Sequence, residues 1–273
     1  MPEHDEQFSE APYPSSRRLT FDLGKVGLGK HHVKALLEVD VTEARQKIRE
    51  ARKNGAKISF FAWLVKATAD CVAAHPSVNG FNDQRGNKVV LFRDVDISIA
   101  VEKQVDGARV PLPYVVRKAE KKSIDEICRE IEAAQSESVD DEGHYVLGQS
   151  NSALAMKFFV ALPQWLRLAL MRSFFFSNPR RMKDAMGTVM ITTVGMAGHA
   201  RGWIVPFSMH PLCLAFGSLN AQPALYKGAI QKREILHLTV LIDHDVVDGV
   251  PAARFADDLV KRLECGAGIK TSE

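Results

Sequence analysis

Apolar residues recur along the chain with two different periods, which separate strands from helices. In the run 95–101, Val95, Ile97 and Ile99 alternate with Asp96 and Ser98, as in a strand with one buried face. Shorter or less regular apolar runs predict further strands at 33–41, 88–92, 110–116, 188–193, 211–219 and 234–243. The chain is therefore rich in short strands.

Helical spacing predicts four helices, at 42–53, 58–74, 123–135 and 250–263. Thr42 and Ser123 are predicted N-caps, because a hydroxyl can satisfy a free N–H of the first turn, and Glu126 stands at the capping-box position. The segment 58–74 is apolar on most sides, which predicts a buried helix. Between residues 17 and 30, Gly24 and Gly27 disfavour a helix.

The strands and helices follow one another without a regular strand-helix-strand rhythm. This order predicts an α/β fold, a two-layer sandwich with a mixed sheet and helices on one side. The 273 residues are predicted to form an N-terminal arm (1–30), one main domain (31–265) with an insertion at about 141–183, and a C-terminal tail (266–273).

The most apolar part of the chain, residues 152–176, lies in the predicted insertion. Its length suits a membrane span, but Lys157, Arg167 and Arg172 are spread through it and Pro163 divides it. The pattern predicts a helical hairpin, at about 151–162 and 163–177. It packs on the body or on another subunit, or it contacts a membrane or lipid through 152–177. The second alternative depends on aromatic residues flanked by arginines: Trp165, Phe174, Phe175, Phe176, Arg172, Arg180 and Arg181.

Composition narrows the range of functions. The net charge is +3 and no basic block with interleaved aromatics occurs, so no nucleic-acid partner is expected. The four cysteines lie far apart, which predicts neither a metal site nor a disulfide framework and fits a reducing compartment. The first residues lack the apolar core of a secretory signal, so a cytoplasmic location is expected.

One histidine stands at a position suited to catalysis. His244 follows a predicted strand and precedes the turn Asp248-Gly249 that opens the last helix. An imidazole at such a junction can face a cleft and take a proton from a thiol or hydroxyl. Asp243 and Asp245 flank it and could raise its basicity. A histidine beside an aspartate is often only structural, so residue type alone leaves both alternatives open.

The sequence around His244 resembles a known family. HDVVDG at 244–249 is similar to the HxxxDG motif of the acyltransferase components of 2-oxo acid dehydrogenase complexes, which chloramphenicol acetyltransferase shares. GTVMITTVG at 187–195 resembles a second family motif, and EVDVT at 38–42, PSVN at 76–79 and PYVVRKA at 113–119 follow the family in order. The ordered matches run from about residue 31 to 263.

This resemblance implies a role for several residues. His244 matches the general base, and Thr192 matches the hydroxyl residue that donates to the tetrahedral oxyanion. Asp248 matches a structural aspartate that pairs with an arginine near the N-terminus, here Arg17 or Arg18. The resemblance also implies substrate-binding positions at His31, Thr193 and Gly249.

The resemblance further implies a chloramphenicol-acetyltransferase-like trimer, or an assembly of trimers, with active sites between subunits. Coenzyme A is expected as acyl-CoA substrate, with no metal. The sequence contains no lipoyl or subunit-binding domain, so no covalent lipoyl is expected and an acyl carrier is met in trans. Three functions remain: a stand-alone CoA-dependent acyltransferase, a core subunit of a 2-oxo acid dehydrogenase complex that borrows lipoyl domains, or a non-catalytic scaffold.

Overall fold

A computed structural model describes residues 15–83, 88–105, 108–136, 158–193 and 201–270. The strands are β1 (His32–Asp40), β2 (Gly80–Asn82), β3 (Val89–Leu91), β4 (Ile97–Val105), β5 (Ala108–Val116), β6 (Val189–Thr193), β7 (Leu212–Tyr226) and β8 (Ala229–Asp243). The helices are α1 (Ser15–Gly27), α2 (Thr42–Lys53), α3 (Phe60–Ala74), α4 (Ile124–Ser136), α5 (Gln164–Leu170), α6 (Pro179–Met186) and α7 (Gly249–Glu264).

Six strands form one mixed sheet in the order β1-β8-β7-β6-β4-β5. The pairs β4–β6 and β6–β7 are parallel and the other pairs are antiparallel. Strands β2 and β3 pair separately. The predicted mixed sheet is confirmed.

A layer of helices covers one face of the sheet. Helix α3 contacts α4 and α7, while α2 lies against β8 and α4 against β4 and β5. Trp63 on α3 and Phe255 on α7 are fully buried between helices and sheet. Their apolar packing supplies the main core, and the predicted two-layer α/β fold is confirmed.

Two strands extend well beyond their predicted ends. β7 and β8 continue as a long hairpin through a turn at Lys227 (φ 50°) and Gly228 (φ 82°). Positive φ at both turn residues matches the twist of paired strands. The prediction stopped at 219 and resumed at 234 because most of the hairpin between them is solvent-exposed. An exposed hairpin has no buried face, so it lacks the alternation that reveals a strand.

A helix forms before residue 30, where the glycines predict a weak one at most. Helix α1 forms although it contains Gly24 and Gly27. A Cβ at Gly27 would lie 3.0 Å from the carbonyl oxygen of Ser208, so glycine permits a close backbone approach there. On the same helix Asp22 is fully buried against Arg167. Tertiary contacts therefore outweigh the weak propensity.

The two predicted caps have different outcomes. Ser123 and Glu126 form the predicted reciprocal box, with N–H to oxygen distances of 2.7 and 3.2 Å. Thr42 is the first residue of α2 rather than its cap. Its hydroxyl donates to Asp40 at 2.5 Å and accepts the N–H of Glu234 at 2.8 Å. Thr42 thus ties the end of β1 to β8.

The predicted helical hairpin is described only in part. Residues 158–161 are helical, whereas 151–157 lie outside the described residues. Pro163 precedes α5, which continues as one π-helical segment, Met171–Phe175. Within the described ranges, no helix combines the length and apolar character needed to cross a membrane. The predicted domain boundaries stay predictions.

Candidate active site

His244 lies in a turn directly after β8, and its side chain is exposed. The backbone holds this turn on two sides. The N–H of His244 donates to the carbonyl of His31 at 3.0 Å, and the N–H of Asp243 donates to Pro211 at 2.7 Å. The imidazole is therefore presented to solvent from a fixed backbone.

The side chain of Asp243 braces the same turn from inside. Its carboxylate is fully buried and lies 2.8 Å from the ammonium group of Lys30. The other carboxylate oxygen accepts the N–H of Asp245 at 3.2 Å. The sequence indicates Asp243 only as a neighbour of the imidazole and gives no sign of its pairing with Lys30. A buried carboxylate needs a cationic or hydrogen-bonding partner. Lys30 is 213 positions away in the sequence, so the sequence alone does not indicate that it is the partner.

His31 and Asp245 form a pair beside His244. The Nδ1 atom of His31 lies 3.0 Å from both carboxylate oxygens of Asp245. This hydrogen bond, followed by the charge of Asp245, raises the pKa of His31. Asp245 is thus engaged by His31. Both histidines lie where β1 begins and β8 ends, so His31 is near the predicted site.

A shallow cavity of about 150 Å³ adjoins this pair. Lys30, His31 and Lys34 contribute to its wall, together with the exposed ring of Phe207. The cationic lining suits an anionic group on a substrate.

Asp248 and Gly249 begin α7. Asp248 is the N-cap residue, is exposed, and makes no side-chain capping bond. Within the described part of the chain it forms no ion pair, so the brace expected with Arg18 is not observed; the side chain of Arg17 lies outside the described residues. A Cβ at Gly249 would meet no atom within 4 Å, which leaves open space beside the turn.

Thr192 and Thr193 are half-buried at the end of β6, far from His244. Thr192 is in register with Ala215 on β7, which pairs with Thr239 on β8. Strand spacing and rise place Thr192 about 10 Å across the sheet and about 16 Å along it from His244. One chain therefore does not bring the predicted base and the predicted oxyanion donor together.

One cluster among the described residues has the atoms of a metal site. Cys71, His75 and Asp258 place one ligand atom each within 4.8 Å of one another. Asp258 is already shared by His75 at 3.1 Å and Arg262 at 2.9 Å, and burial raises the pKa of the Cys71 thiol to about 12. We assign the cluster to the packing of α3 on α7. All four cysteines are free.

Comparison with known proteins gives a consistent picture. The sequence model of the 2-oxoacid dehydrogenases acyltransferase (catalytic domain) family matches residues 28–142 and 178–269. The dihydrolipoyllysine-residue acetyltransferase component of the pyruvate dehydrogenase complex of Mycoplasma pneumoniae is 29% identical over 214 residues, covering 78% of this chain and 43% of that protein. The lipoamide acyltransferase component of the branched-chain alpha-keto acid dehydrogenase complex of Bacillus subtilis is 25% identical over 241 residues, covering 85% and 46%.

A solved structure shares the fold. The probable dihydrolipoamide acetyltransferase of Listeria monocytogenes 4b F2365 superposes with a TM-score of 0.65 at 20% identity, covering 97% of this chain and 98% of that one. The chain spans less than half the length of the curated relatives it matches. Motifs, mixed sheet and sequence match agree, and the chain belongs to the family of 2-oxo acid dehydrogenase acyltransferases through their catalytic domain.

Proposed function

We propose that this chain transfers an acyl group between coenzyme A and dihydrolipoamide, with His244 as the base. The observation that carries the proposal is the exposed imidazole of His244 on a turn fixed by backbone bonds and by the Lys30–Asp243 pair. The turn lies within the part of the chain that matches the acyltransferase family. A non-catalytic scaffold would need none of these features.

In the proposed reaction, a ring nitrogen of His244 takes the proton of the acceptor thiol. The thiolate attacks the thioester carbonyl carbon, and the carbonyl oxygen becomes a tetrahedral oxyanion. Thr192 donates its hydroxyl hydrogen bond to this oxygen, where charge develops. The intermediate collapses, the second thiolate leaves, and it recovers the proton from His244.

The sheet register supports a site shared by two subunits. Thr192 and His244 are too far apart within a chain to act on one carbonyl group. A closed ring of identical subunits can place Thr192 of one beside His244 of the next. We therefore propose that the working unit is a homotrimer.

The relatives favour the core-subunit alternative over the stand-alone enzyme. Both curated relatives are components of 2-oxo acid dehydrogenase complexes. One is an acetyltransferase and the other belongs to a branched-chain complex. An assay with an acetyl and a branched acyl group therefore decides which one this chain transfers. We propose dihydrolipoamide, presented by a lipoyl domain, as the physiological thiol partner.

Steady-state assays with free dihydrolipoamide and acetyl-CoA or a branched acyl-CoA test this function. Loss of a general base lowers kcat by about 10²–10⁴-fold, so His244→Ala should abolish most turnover. His31→Ala is the matched control, since it removes the neighbouring exposed imidazole. Equal turnover by His244→Ala and the wild-type protein on every active acyl-CoA would overturn the proposal.

A further inference from the structure

The segment from residue 143 to residue 183 contains no Asp or Glu. All 33 acidic residues lie elsewhere, while six basic residues fall inside it. The described part of this segment also carries several of the most exposed aromatic rings of the protein. Arg167 and Lys183 pair with Asp22 and Asp96, whereas Arg172, Arg180 and Arg181 are exposed. Exposed arginines in one segment with exposed aromatic rings indicate a surface that binds an anionic, partly apolar partner.

One side of this segment is fixed to the protein body. Arg167 on α5 is buried and lies 2.6 Å from the buried carboxylate of Asp22 on α1. Gln164 donates to the same carboxylate at 2.8 Å. Met171 and Phe176 are buried in a small apolar cluster with Phe81 and Met182. The orientation of α5 and the π-helical turn after it is therefore set by the body.

The opposite side is left uncovered. Phe158, Trp165 and Phe174 are 70%, 71% and 65% exposed. Trp165 and Arg167 are two positions apart, which directs the indole ring away from the buried guanidinium group. We call five exposed side chains of this segment together the aromatic face: Phe158, Trp165, Leu170, Arg172 and Phe174.

Three exposed arginines, Arg172, Arg180 and Arg181, belong to the same segment. Arg181 lies over the ring of Phe174, with its central carbon 4.1 Å from the ring centroid, and it donates to the Phe174 carbonyl at 3.1 Å. Arg172 and Arg180 are exposed nearby in the sequence. Arginine binds phosphate oxygens while aromatic rings favour the boundary between headgroups and acyl chains.

We propose that the aromatic face docks on the surface of an anionic phospholipid bilayer. The rings enter the headgroup boundary, and the arginines bind lipid phosphates. The aliphatic character of 158–171 (FFVALPQWLRLALM) favours a bilayer over a nucleic acid, whose interfaces are more polar. The docking is peripheral and separate from the chemistry of His244.

Vesicle flotation of the full chain tests the proposal. The probes are vesicles of phosphatidylcholine alone and of phosphatidylcholine mixed with phosphatidylglycerol. The wild-type protein should float with the mixed vesicles, and added salt should weaken this binding. Trp165→Ser/Phe174→Ser should weaken binding by at least about tenfold. A tenfold loss corresponds to roughly 55 Å² of apolar area no longer buried, and two rings that enter the bilayer only halfway bury more than that.

Leu225→Ser is the matched control, because Leu225 is an equally exposed apolar residue at the tip of the β7–β8 hairpin. It should float like the wild-type protein. The proposal is overturned if the wild-type protein stays unbound with mixed vesicles, or if the double variant floats equally well. It is also overturned if the double variant changes the mass of the assembly, since a second copy then covers the face. Equal flotation with neutral vesicles overturns the assignment of anionic lipid.

Discussion

The part of the chain that matches the family (28–142 and 178–269), called the body, and the unmatched stretch between, called the insertion, differ in how far they bury apolar side chains. In the body, Leu214 and Leu238 on adjacent strands are fully buried, whereas Trp165 in the insertion is 71% exposed. The family match stops at residue 142 and resumes at 178, so the exposed surface lies mostly in the unmatched stretch. The matched part is what this chain shares with the family, and the proposed docking surface lies mostly outside it.

Polar contacts tie α5 of the insertion to α1, which makes the independence of the two regions testable. Asp22 and Arg167 form the buried link between α1 and α5. Burial tends to raise the pKa of Asp22, but hydrogen bonds from Arg167 and Gln164 outweigh it and lower that pKa. A lowered carboxyl pKa means that the link stabilises the fold above the unfolded pKa and is lost as the pH falls through the folded pKa.

The largest expected effect follows from breaking this link. Asp22→Ala leaves Arg167 buried without its partner, which costs about 3–5 kcal/mol. Hydrogen exchange should show faster opening of 158–177, while the exchange of β7 and β8 stays slow. Asp94→Ala, which removes a solvent-exposed pair with Lys121, is the control and should cost less than about 1 kcal/mol. Simultaneous opening of the insertion and the central strands would show that the two regions are one cooperative unit.

A smaller effect is expected when the turn that carries His244 loses its pair between Lys30 and Asp243. Lys30→Met leaves the buried Asp243 carboxylate without its cation, so the turn that carries His244 should shift. A displaced base can lower kcat by roughly tenfold to a hundredfold. The loss should appear in kcat, because the pair holds the turn that carries His244. Lys34→Met removes a cation from the same cavity wall without touching Asp243, and its kcat should stay close to the wild-type value. A drop in both variants would indicate lost substrate attraction instead of lost positioning.

The smallest effect concerns His31. Its pKa is raised by the hydrogen bond and charge of Asp245, so the pair stabilises the fold below the unfolded histidine pKa and this contribution is lost as the pH rises through the folded value. NMR titration should give His31 a pKa above the ordinary value for histidine, and Asp245→Asn should lower that pKa. An unchanged His31 pKa in that variant would exclude the pairing in solution.

The sequence predicted the main strands and helices of the body because each has one buried face and therefore a regular apolar period. It missed most of the β7–β8 hairpin, which is largely exposed. It predicted only a weak helix where α1 forms, because the contact between Asp22 and its distant partner Arg167 cannot be seen in the sequence. Motif similarity directed attention to His244 and Thr192. Lys30 could not be predicted, because its pairing with Asp243 exists only after β1 and β8 align.

Mixed assemblies give the most direct test of a site shared by two subunits. His244→Ala and Thr192→Val should each lose about 10²-fold activity or more. When differently tagged copies of the two variants are co-expressed and purified together, random trimers should place an intact His244 beside an intact Thr192 at about a quarter of the sites. Activity of the whole co-expressed pool, homotrimers included, should therefore return to about a quarter of the wild-type value. Trimers selected through both tags contain one intact site in three, so their activity should be about a third. Activity no higher than that of the separate variants would contradict the shared site.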